Sequence, residues 1–553
     1  MKKIFFLFFI LCCSVSYSQI EIPKLKVDAS LNNLLRYGNG YEYTGLNKTP
    51  KEYFENLTDL RVNVNNVIIG LRYEISDPIE YGRNFKGIRK RFAEYSHDIG
   101  ISVRAGDYWD IVSRGMTMNI FEDRTLGYDT GLDGIRLVYK NSFGNTKSFK
   151  LKTAFLGGNM EYSDYLNPNR IETYKVRDAN VEISPWKNFT LGTNYVFAKG
   201  KIPNSIDTTN IKAELPEVYL GFSFKDFNFY SSYAHKSVMS EPNNSPNYSG
   251  FSSQGDGLYS SLSYSKAGLG ITLDYKNYRF DLTGPDNRST DRPTKLLPFQ
   301  NPPTAQKEHT STLISRNPHV TNFNDEVGGQ LDIIYVASEK LYFNLNLGVA
   351  SEHYQYADID TTAVVSYQRV ARDNNFIPEL SNDAFNPFWE YFVETEYYAT
   401  EKLYTKLAFS RQSSVVYNQI NPGSSEKILT STIPLEVRYE LDNNFALKVN
   451  LEQQWEYNSI RTGEKSFMNQ YASVNLTKSP YLGLTVSGEF TNDKEEPTGK
   501  SSWFIGEIIY KLNQKNQVTF SYGSERGGLK CTNGICRYVN PFEGFRATIQ
   551  TSF

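Results

Sequence analysis

Apolar residues recur at every second position over most of the chain. Between Leu341 and Val349 the alternate residues are Leu, Phe, Leu, Leu and Val, and the residues between them are polar or small. The segments 433–439 and 445–451 repeat the pattern. Successive side chains of a strand point to opposite faces, so this period predicts strands with one apolar face and one polar face. Such strands recur from about residue 26 to the end of the chain.

The connections between these strands fall into two length classes. Very short turns are predicted at 225–226, 338–339, 400–401, 442–443 and 513–516. Long polar loops are predicted at 38–56, 108–134, 199–215, 237–256, 283–326, 351–387, 413–426 and 523–541. Short periplasmic turns and long extracellular loops are typical of transmembrane barrels. The prediction is an all-β fold, a closed antiparallel transmembrane β-barrel of about 24 strands (range 20–24), including a short hairpin at 57–75 turned by Asn65 and Asn66.

The first residues predict export. Lys2 and Lys3 precede a short apolar core that ends at Cys13, and small residues follow, which predicts cleavage between Ser18 and Gln19. A membrane anchor would need about 20 apolar residues, which is more than this core supplies. Residues 1–18 are therefore predicted to be a signal peptide and 19–553 a single barrel domain. The expected location is the cell outer membrane of a Gram-negative bacterium.

Alternation alone fits a soluble sandwich as well as a membrane barrel, and further observations favour the barrel. The last strand ends at Phe553, and a terminal aromatic resembles the signal that barrel-assembly machinery reads. Tryptophans fall where predicted strands meet long loops, as in an interfacial girdle: Trp109, Trp389, Trp455 and Trp503. We find no blade repeat and no sustained helical period. The expected partners are outer-membrane lipid and, during biogenesis, the assembly machinery.

Composition narrows the class of protein. Basic and acidic residues number 59 and 61, a net charge of -2, which is too near neutral for a nucleic-acid binder. Aromatic residues reach 14%, which excludes a disordered chain. A mean hydropathy of -0.49 excludes a helical membrane protein.

The polar faces of the strands carry charges of both signs. In a membrane barrel these faces line a wet lumen. The charged residues expected to face the lumen are Arg72, Arg104, Arg136, Lys150, Lys152, Asp274, Lys276, Glu436, Arg438, Lys448, Glu452, Glu489 and Arg546.

The loop at 106–135 is unusually rich in apolar and charged residues together. Its charged residues are Arg114, Glu122, Asp123, Arg124 and Asp129, and they lie among Trp, Met and Phe side chains. Folding this loop into the lumen would bury the apolar residues and pair its charges with the flanking strands, as in the constriction of a porin. A cap packed against neighbouring loops is the alternative.

Cys531 and Cys536 bracket Asn533-Gly534, the preferred pair for a tight hairpin turn. The two cysteines then lie opposite each other near the turn, and an oxidising compartment would let them form a disulfide. No histidine or further cysteine lies close enough in sequence to favour a metal site instead.

Motifs for chemistry are not found. The five histidines are scattered, and we find no metal-ligand spacing, phosphate loop or nucleophile elbow. Asp325-Glu326 and Asp358-Ile359-Asp360 could bind Ca²⁺, but they lack the spacing of a known calcium loop. We predict no enzyme activity, no metal, no cofactor and no nucleic-acid partner.

Two stretches resemble a known family. They are 106–136, which includes Gly106-Asp107-Tyr108 and Glu122-Asp123-Arg124-Thr125-Leu126-Gly127-Tyr128-Asp129, and 525–536 ahead of Pro541-Phe542. They are similar to an uncharacterised outer-membrane barrel family of Bacteroidota, a domain of unknown function. The resemblance implies barrel architecture and location. It implies no substrate, cofactor or catalytic residue.

A barrel of about 24 strands is too wide for its side chains to fill. Because alternation starts near residue 26, no plug domain of the kind found in TonB-dependent transporters is expected. The leading hypothesis is a porin-like channel for passive diffusion of small polar solutes. The alternative is a non-transport barrel that is a subunit or scaffold of a secretion, assembly or adhesion complex and binds a protein partner through its long loops. A third is a lipid conduit with a lateral opening, for which Val196, Phe392 and Ile505 are inward apolar hints.

Overall fold

The structure is a computed structural model. It describes residues 26–144, 148–163, 170–203, 208–240, 252–282, 297–358, 367–372, 374–418, 421–532 and 535–553. The predicted signal peptide and its cleavage site, Asp360 and the Asn533-Gly534 turn lie outside these residues.

Within the described residues, twenty-four antiparallel strands form one closed barrel, which confirms the predicted fold. The last strand pairs with the first from Asn32 opposite Ser552 to Glu42 opposite Phe542, and this pairing closes the sheet. The barrel strands are Val27–Thr44, Asn47–Val64, Val67–Ser76, Phe85–His97, Ile101–Tyr108, Leu132–Phe143, Phe149–Ser163, Ile171–Trp186, Phe189–Pro203, Thr208–Phe224, Phe227–Ser240, Ser252–Lys266, Leu269–Arg279, Glu326–Ser338, Leu341–Ser351, Phe388–Tyr398, Leu403–Val416, Glu426–Glu440, Phe445–Asn458, Ser466–Lys478, Leu482–Thr491, Ser502–Asn513, Asn516–Glu525 and Phe542–Ser552.

One rim of the barrel carries only short turns, and we call it the short-turn end. Several of its turns use left-handed backbone, with φ of 52° at Asn65, 52° at Lys225 and 64° at Asn443. Asn tolerates this conformation better than most residues, which favours tight reversals there. The opposite rim, the long-loop end, carries the longer connections.

Two predicted long loops prove to be mostly strand. The segment 38–56 was expected to be a loop, but Val27–Thr44 and Asn47–Val64 pair along their whole length and reverse at Gly45 and Leu46. Likewise most of 199–215 lies in strands. The reason is that outward side chains near the long-loop end are polar, so the apolar alternation stops while the backbone pairing continues.

The connections at the long-loop end contain small elements of their own. Two-stranded hairpins pair Asp110–Ile111 with Asn119–Ile120, Glu122–Asp123 with Tyr128–Asp129, Tyr354–Asp358 with Tyr367–Ala371, and Gly528–Thr532 with Ile535–Val539. Single 3₁₀ turns lie at Ile314–Arg316, Asp383–Phe385 and Pro422–Ser424. In the part of the chain that is described, no helix is long and apolar enough to span a membrane.

The outer surface of the barrel is apolar around its middle. Ile135, Phe155 and Val486 are 61%, 52% and 64% exposed, and similar side chains surround the barrel. A continuous apolar band of this kind matches the lipid-facing band of membrane barrels. The predicted tryptophan girdle is only partly right: Trp455 is exposed, but Trp503 is buried and Trp109 bonds to a loop residue.

Candidate functional site

Three segments from the long-loop end enter the barrel. We call them loop A (residues 109–131), loop B (297–325) and loop C (526–541). Phe299 of loop B packs against Tyr174, and Arg316 of the same loop pairs with Glu489 on a distant part of the wall. Tyr174 and Glu489 lie on distant strands of the closed barrel, so one loop can contact both only by crossing the interior.

Loop A covers an apolar part of the lumen, which we call the apolar wall. The wall is formed by inward side chains of consecutive strands: Leu156, Val176, Val196, Ala213, Leu215 and Val238. Val112, Met118 and Ile120 of loop A pack on it, and none is more than 5% exposed. Burying a side chain of this size stabilises a fold by about 1.5–3 kcal/mol, so these contacts hold loop A on the wall.

A buried carboxylate fixes the position of loop A on the apolar wall. Glu217 accepts hydrogen bonds from the hydroxyls of Thr117 and Ser232, each at 2.7 Å. Thr117 in turn accepts one from the Asn194 amide at 3.0 Å. Because buried polar groups need specific partners, this cluster sets the register of the loop, which apolar contacts alone would leave free to slide.

The predicted charged residues of loop A take different positions. Glu122 pairs with Arg72 at 2.9 Å, and Arg124 lies 3.3 Å from Glu74. The Arg114 guanidinium stacks over a tyrosine ring of the wall, and Asp123 accepts hydrogen bonds from Thr125 within the loop. Loop A therefore binds the wall through ion pairs on one side and through apolar contacts on the other.

Asp129 is a partly buried acid of loop A. It pairs with Lys90 at 2.7 Å and accepts hydrogen bonds from the Trp109 indole at 3.0 Å and the Gly131 amide at 2.9 Å. Burial acts to raise the pKa of Asp129, but the Lys90 charge and these hydrogen bonds outweigh it and lower the pKa below its ordinary value.

Loop B crosses a polar part of the lumen, which we call the polar wall. Its inward residues include Glu390, Gln412, Glu452, Gln454 and Glu489. Glu452 accepts three hydrogen bonds from one turn of loop B: from the Ser311 hydroxyl at 2.7 Å and from the Thr312 and Leu313 amides at 3.0 and 2.7 Å. One wall carboxylate thus holds the middle of the loop.

Further polar contacts tie loop B to the wall along its length. His309 lies 2.8 Å from Glu390, and Lys307 lies 3.3 Å from Asp332. The sequence predicted Glu452 and Glu489 as lumen charges but missed their loop partners, because loop B was predicted to be external. The isolated apolar residues of loop B were a sequence signal that the loop is buried. Among them are Leu297, Phe299, Leu313 and Ile314, which are all buried.

Loop C locks the other two loops together. Its hairpin carries the Cys531–Cys536 disulfide. Arg537 donates hydrogen bonds to the carbonyl oxygens of Leu126 and Gly127 in loop A. The Tyr128 hydroxyl of loop A then donates to the carbonyl oxygen of Pro298 in loop B at 3.0 Å.

Arg526 anchors the start of loop C to the polar wall. It contacts Glu489 at 3.0 Å and Glu496 at 2.7 Å. Burial acts to lower the pKa of Arg526, but the two carboxylates outweigh it and raise the pKa. The guanidinium also lies 5.0 Å from the Trp503 ring, which explains why this tryptophan faces inward.

In the described structure a cavity of 820 Å³ lies beside loop A, with Lys90, Asp129 and Tyr174 in its lining, and two smaller cavities lie beside the polar wall. One has a volume of 260 Å³ and is lined by Arg316, Tyr471, Glu489, Trp503 and Arg526, among others. The second has a volume of 300 Å³, and its lining includes Lys307, His309, His319, Glu390 and Gln412. Both are lined by charges of both signs, and Ser315 and Lys530 border both.

The remaining predicted lumen charges form pairs along the wall. Near the loops the pairs are Arg104–Glu94 at 3.3 Å, Arg136–Asp110 at 2.5 Å, Lys276–Glu326 at 2.5 Å and Arg546–Glu525 at 2.5 Å. Asp274 instead accepts hydrogen bonds from Tyr259 and Gln330.

Other predicted charges lie toward the short-turn end. There Glu436 pairs with Lys448 at 2.9 Å and Arg438 at 2.5 Å. Lys150 and Lys152 lie on the same strand face as Leu156. The structure therefore gathers only part of the predicted set around the three loops.

The two candidate calcium loops have other contacts where they are described. Asp325 lies 2.8 Å from His353, and Glu326 pairs with Lys276. Among the described residues no group of three or more His, Cys, Asp and Glu side chains is placed to hold a metal.

The inward apolar residues do not mark a lateral opening. Val196 is covered by loop A, and Phe392 packs with Ile314 of loop B. Ile505 lines the first cavity. Every barrel strand is paired on both sides.

Known structures with a similar fold are large barrels. The siderophore receptor PirA from Pseudomonas aeruginosa has 9% identity and a TM-score of 0.43, over 95% of this chain and 80% of that one. The usher pore PapC has 7% identity and a TM-score of 0.37, over 96% and 99% of the two chains. Such distant similarity carries no conclusion about activity. No functionally curated protein matches the sequence at a significant level. A family profile matches residues 1–553, and the chain belongs to that family, the family of unknown function DUF6029.

Proposed function

We propose that the protein is an outer-membrane barrel, with its long-loop end outside, that forms a narrow channel for passive diffusion of small polar solutes. The apolar outer band supports the membrane location. The closed ring of twenty-four strands is wider than barrels that already enclose an aqueous channel.

The observation that carries the proposal is the division of the lumen. Loop A packs its side chains on the apolar wall, and the cavity of 820 Å³ beside it reaches the outward Lys175 and Lys199. The polar wall retains two cavities of 260 and 300 Å³ beside loop B, lined by inward residues. Water and polar solutes are retained where hydrogen-bonding groups line a space. The path we propose runs along the polar wall, past Arg316, Glu489 and Arg526.

The sign of the lining predicts the selectivity. Arg316 and Arg526 line the first cavity together with Glu489. Lys307 lines the second cavity together with Glu390. Pores select cations or anions through rings of side chains that carry one sign of charge. The mixed charges along this path do not form such a ring. We expect weak discrimination between cations and anions and passage of small neutral or zwitterionic solutes.

The constriction lies in the half of the barrel near the long-loop end. Toward the short-turn end, inward residues such as Arg438 and Lys448 are 55% and 37% exposed at their side chains. The lumen therefore widens into a vestibule on the periplasmic side in this proposal.

A second function is supported by the interlocking of the loops. Arg537 and Tyr128 join loops A, B and C into one body that covers the lumen. If that body stays closed, the barrel is a scaffold whose external surface binds a protein partner in a secretion, assembly or adhesion complex.

Planar-bilayer conductance of the purified protein separates the two functions. Wild-type protein, shown to be folded by heat-modifiable migration, should give small steady conductance steps with weak ion selectivity. Replacing residues 309–316 of loop B by a Gly-Ser segment of equal length should raise the conductance severalfold. The same replacement at residues 374–381 is the matched control and should leave the conductance unchanged.

The scaffold function predicts another pattern. Folded wild-type protein would then give no conductance, and only the loop B variant would conduct. That result would overturn the channel proposal.

A further inference from the structure

The outer surface near the long-loop end carries a compact group of cations. Lys175, Arg177, Lys199, Lys201 and Lys212 project outward from three consecutive strands, Ile171–Trp186, Phe189–Pro203 and Thr208–Phe224. Register places Lys175 opposite Lys199 and Lys199 opposite Lys212, so three lysines form one row across the strands. We call all five cations the cationic row.

Like charges directly opposite each other destabilise a sheet. Among the described residues Lys175, Arg177 and Lys201 form no ion pair, and Lys199 has only the Phe197 ring, 6.0 Å from its ammonium group. Acids on this face are fewer: Glu161 and Glu214 lie nearby, and Asp133 is 3.5 Å from Arg91. Lys175, Arg177, Lys199 and Lys201 therefore carry positive charge that an external anion would neutralise.

An apolar groove begins directly below the cations. It has a volume of 850 Å³, and its lining includes Ile135, Leu137, Phe155, Tyr195 and Phe197, with Lys175 and Arg177 at its upper edge. These apolar side chains belong to the lipid-facing band. The groove is thus continuous with the membrane on one side and with the cationic row on the other.

A single glycine opens the groove. Gly157 lies in register between Ile135 and Arg177 on the outward face. A Cβ atom at Gly157 would meet only the carbonyl oxygen of Val176, at 3.8 Å, so the space above it is free. A larger side chain at this position would project into the groove without backbone strain.

We propose that this surface binds a phosphorylated lipid of the outer leaflet, of the lipid A class. Its phosphate contacts Lys175, Arg177 and Lys199, and one acyl chain lies in the groove over Gly157. The proposal rests on the membrane location stated under the proposed function but not on channel activity. A free phosphate would leave the groove empty, and an uncharged lipid would leave Lys175 and Arg177 without an ion pair, so only a ligand with both parts matches the surface.

Native mass spectrometry of delipidated protein in detergent tests this site, with bisphosphoryl lipid A as the probe. We expect the triple variant Lys175→Ala, Arg177→Ala, Lys199→Ala to bind the probe at least tenfold more weakly than wild type. Its matched control is Lys225→Ala, Lys266→Ala, Lys511→Ala, which removes the same charge from the short-turn end and should stay within twofold of wild type.

The groove has a separate test. Gly157→Leu should weaken binding of lipid A severalfold. Gly506→Leu is its control, because Gly506 also faces outward between Val486 and Tyr522 with open space around it and no cationic row above it. All variants should keep wild-type heat-modifiable migration and wild-type conductance, so failure of the lipid site is distinguishable from failure of the channel proposal.

Three outcomes would overturn the inference. The first is wild-type binding by the triple variant. The second is a result that one part of the ligand suffices. Equal binding of lipid A without its phosphates would show this for the acyl chains, and full competition by millimolar inorganic phosphate would show it for the phosphate. The third is equal binding by Gly157→Leu and Gly506→Leu, which would show that no acyl chain occupies the groove.

Discussion

The two walls of the lumen are built from the same alternating strands and hold their loops in opposite ways. On the apolar wall, Val196 and Leu215 bury Met118 and Val112 of loop A in a packed core. On the polar wall, Glu452 and Glu489 hold loop B through hydrogen bonds and ion pairs, and cavities remain.

The difference shows how one barrel can hold one loop by close apolar packing and another by polar contacts that leave cavities between them. The strand period fixes which residues point inward, and the chemistry of those residues decides whether a loop packs tightly or leaves room for water. Apolar contacts favour close packing, whereas charged groups keep their hydration unless they are fully paired. We therefore expect loop A to be the rigid part of the lumen and loop B the adjustable part.

The largest expected effect comes from placing a charge where loop A packs on the apolar wall. Met118→Asp would bury an unpaired carboxylate and should cost about 3–5 kcal/mol, which is enough to detach loop A. Hydrogen exchange followed by mass spectrometry should show loss of protection across 112–120 while the barrel strands keep theirs. Met118→Leu is the control and should cost less than about 1.5 kcal/mol. Protection unchanged in the Asp variant would show that loop A is not held by packing.

Removing the carboxylate that holds loop B should have the next largest effect. Glu452→Ala leaves the Ser311 hydroxyl and the Thr312 and Leu313 amides without their acceptor. Only the Leu313 bond is fully buried, so we expect a cost of about 1–3 kcal/mol. Exchange should increase at 311–316 and not in loop A. Glu452→Gln keeps an acceptor oxygen and should fall between wild type and Ala. Equal loosening of both loops would contradict the separation of the two walls.

Loop C should respond more modestly to loss of its disulfide. Replacing Cys531 and Cys536 by Ser frees a short hairpin, at about 2 kcal/mol from loop-closure entropy. Trypsin should then cut after Lys530, which is exposed, about tenfold faster or more. Reducing agent should reproduce the effect in wild type and do nothing further to the double variant. An unchanged cleavage rate would mean that the contacts of Arg537 alone hold the hairpin.

The smallest effect concerns the charged side of loop A. Because the pKa of Asp129 is lowered, its contribution is present above the ordinary carboxyl value of 3.8 and is lost as the pH falls through the lower folded value. Asp129→Asn should weaken protection of 121–131 by about 1 kcal/mol at pH 7, allowing for partial exposure, and should match wild type in strong acid.

The control for that pH series is Asp133→Asn. Asp133 pairs with Arg91 on the exposed outer surface, where ion pairs contribute little. Exchange rates corrected for intrinsic pH dependence should show no change in loop A. If the Asp129 variant responded to pH as wild type does, the Lys90–Asp129 ion pair would not contribute to the stability of loop A.

The sequence predicts the barrel well because the period of two survives wherever one face meets lipid. The prediction fails where the outward residues are no longer apolar. Lys199 and Lys201 point outward from a paired strand, and their charge made that segment resemble a loop. Loop A could be predicted to fold inward because its apolar residues are concentrated. Loop B could not, since Phe299 and Ile314 lie far apart in a polar stretch, and their partners are set by distances across the lumen that no local pattern encodes.

The first hairpin has a consequence of its own. Its two strands, Val27–Thr44 and Asn47–Val64, have 18 residues each. At about 3.3 Å per residue and a tilt of about 40°, such a strand rises about 45 Å, well beyond an apolar band of about 25 Å. In the proposed orientation, with the long-loop end outside, this paired ribbon projects beyond the membrane, where an antibody or a bacteriophage would meet ordered backbone.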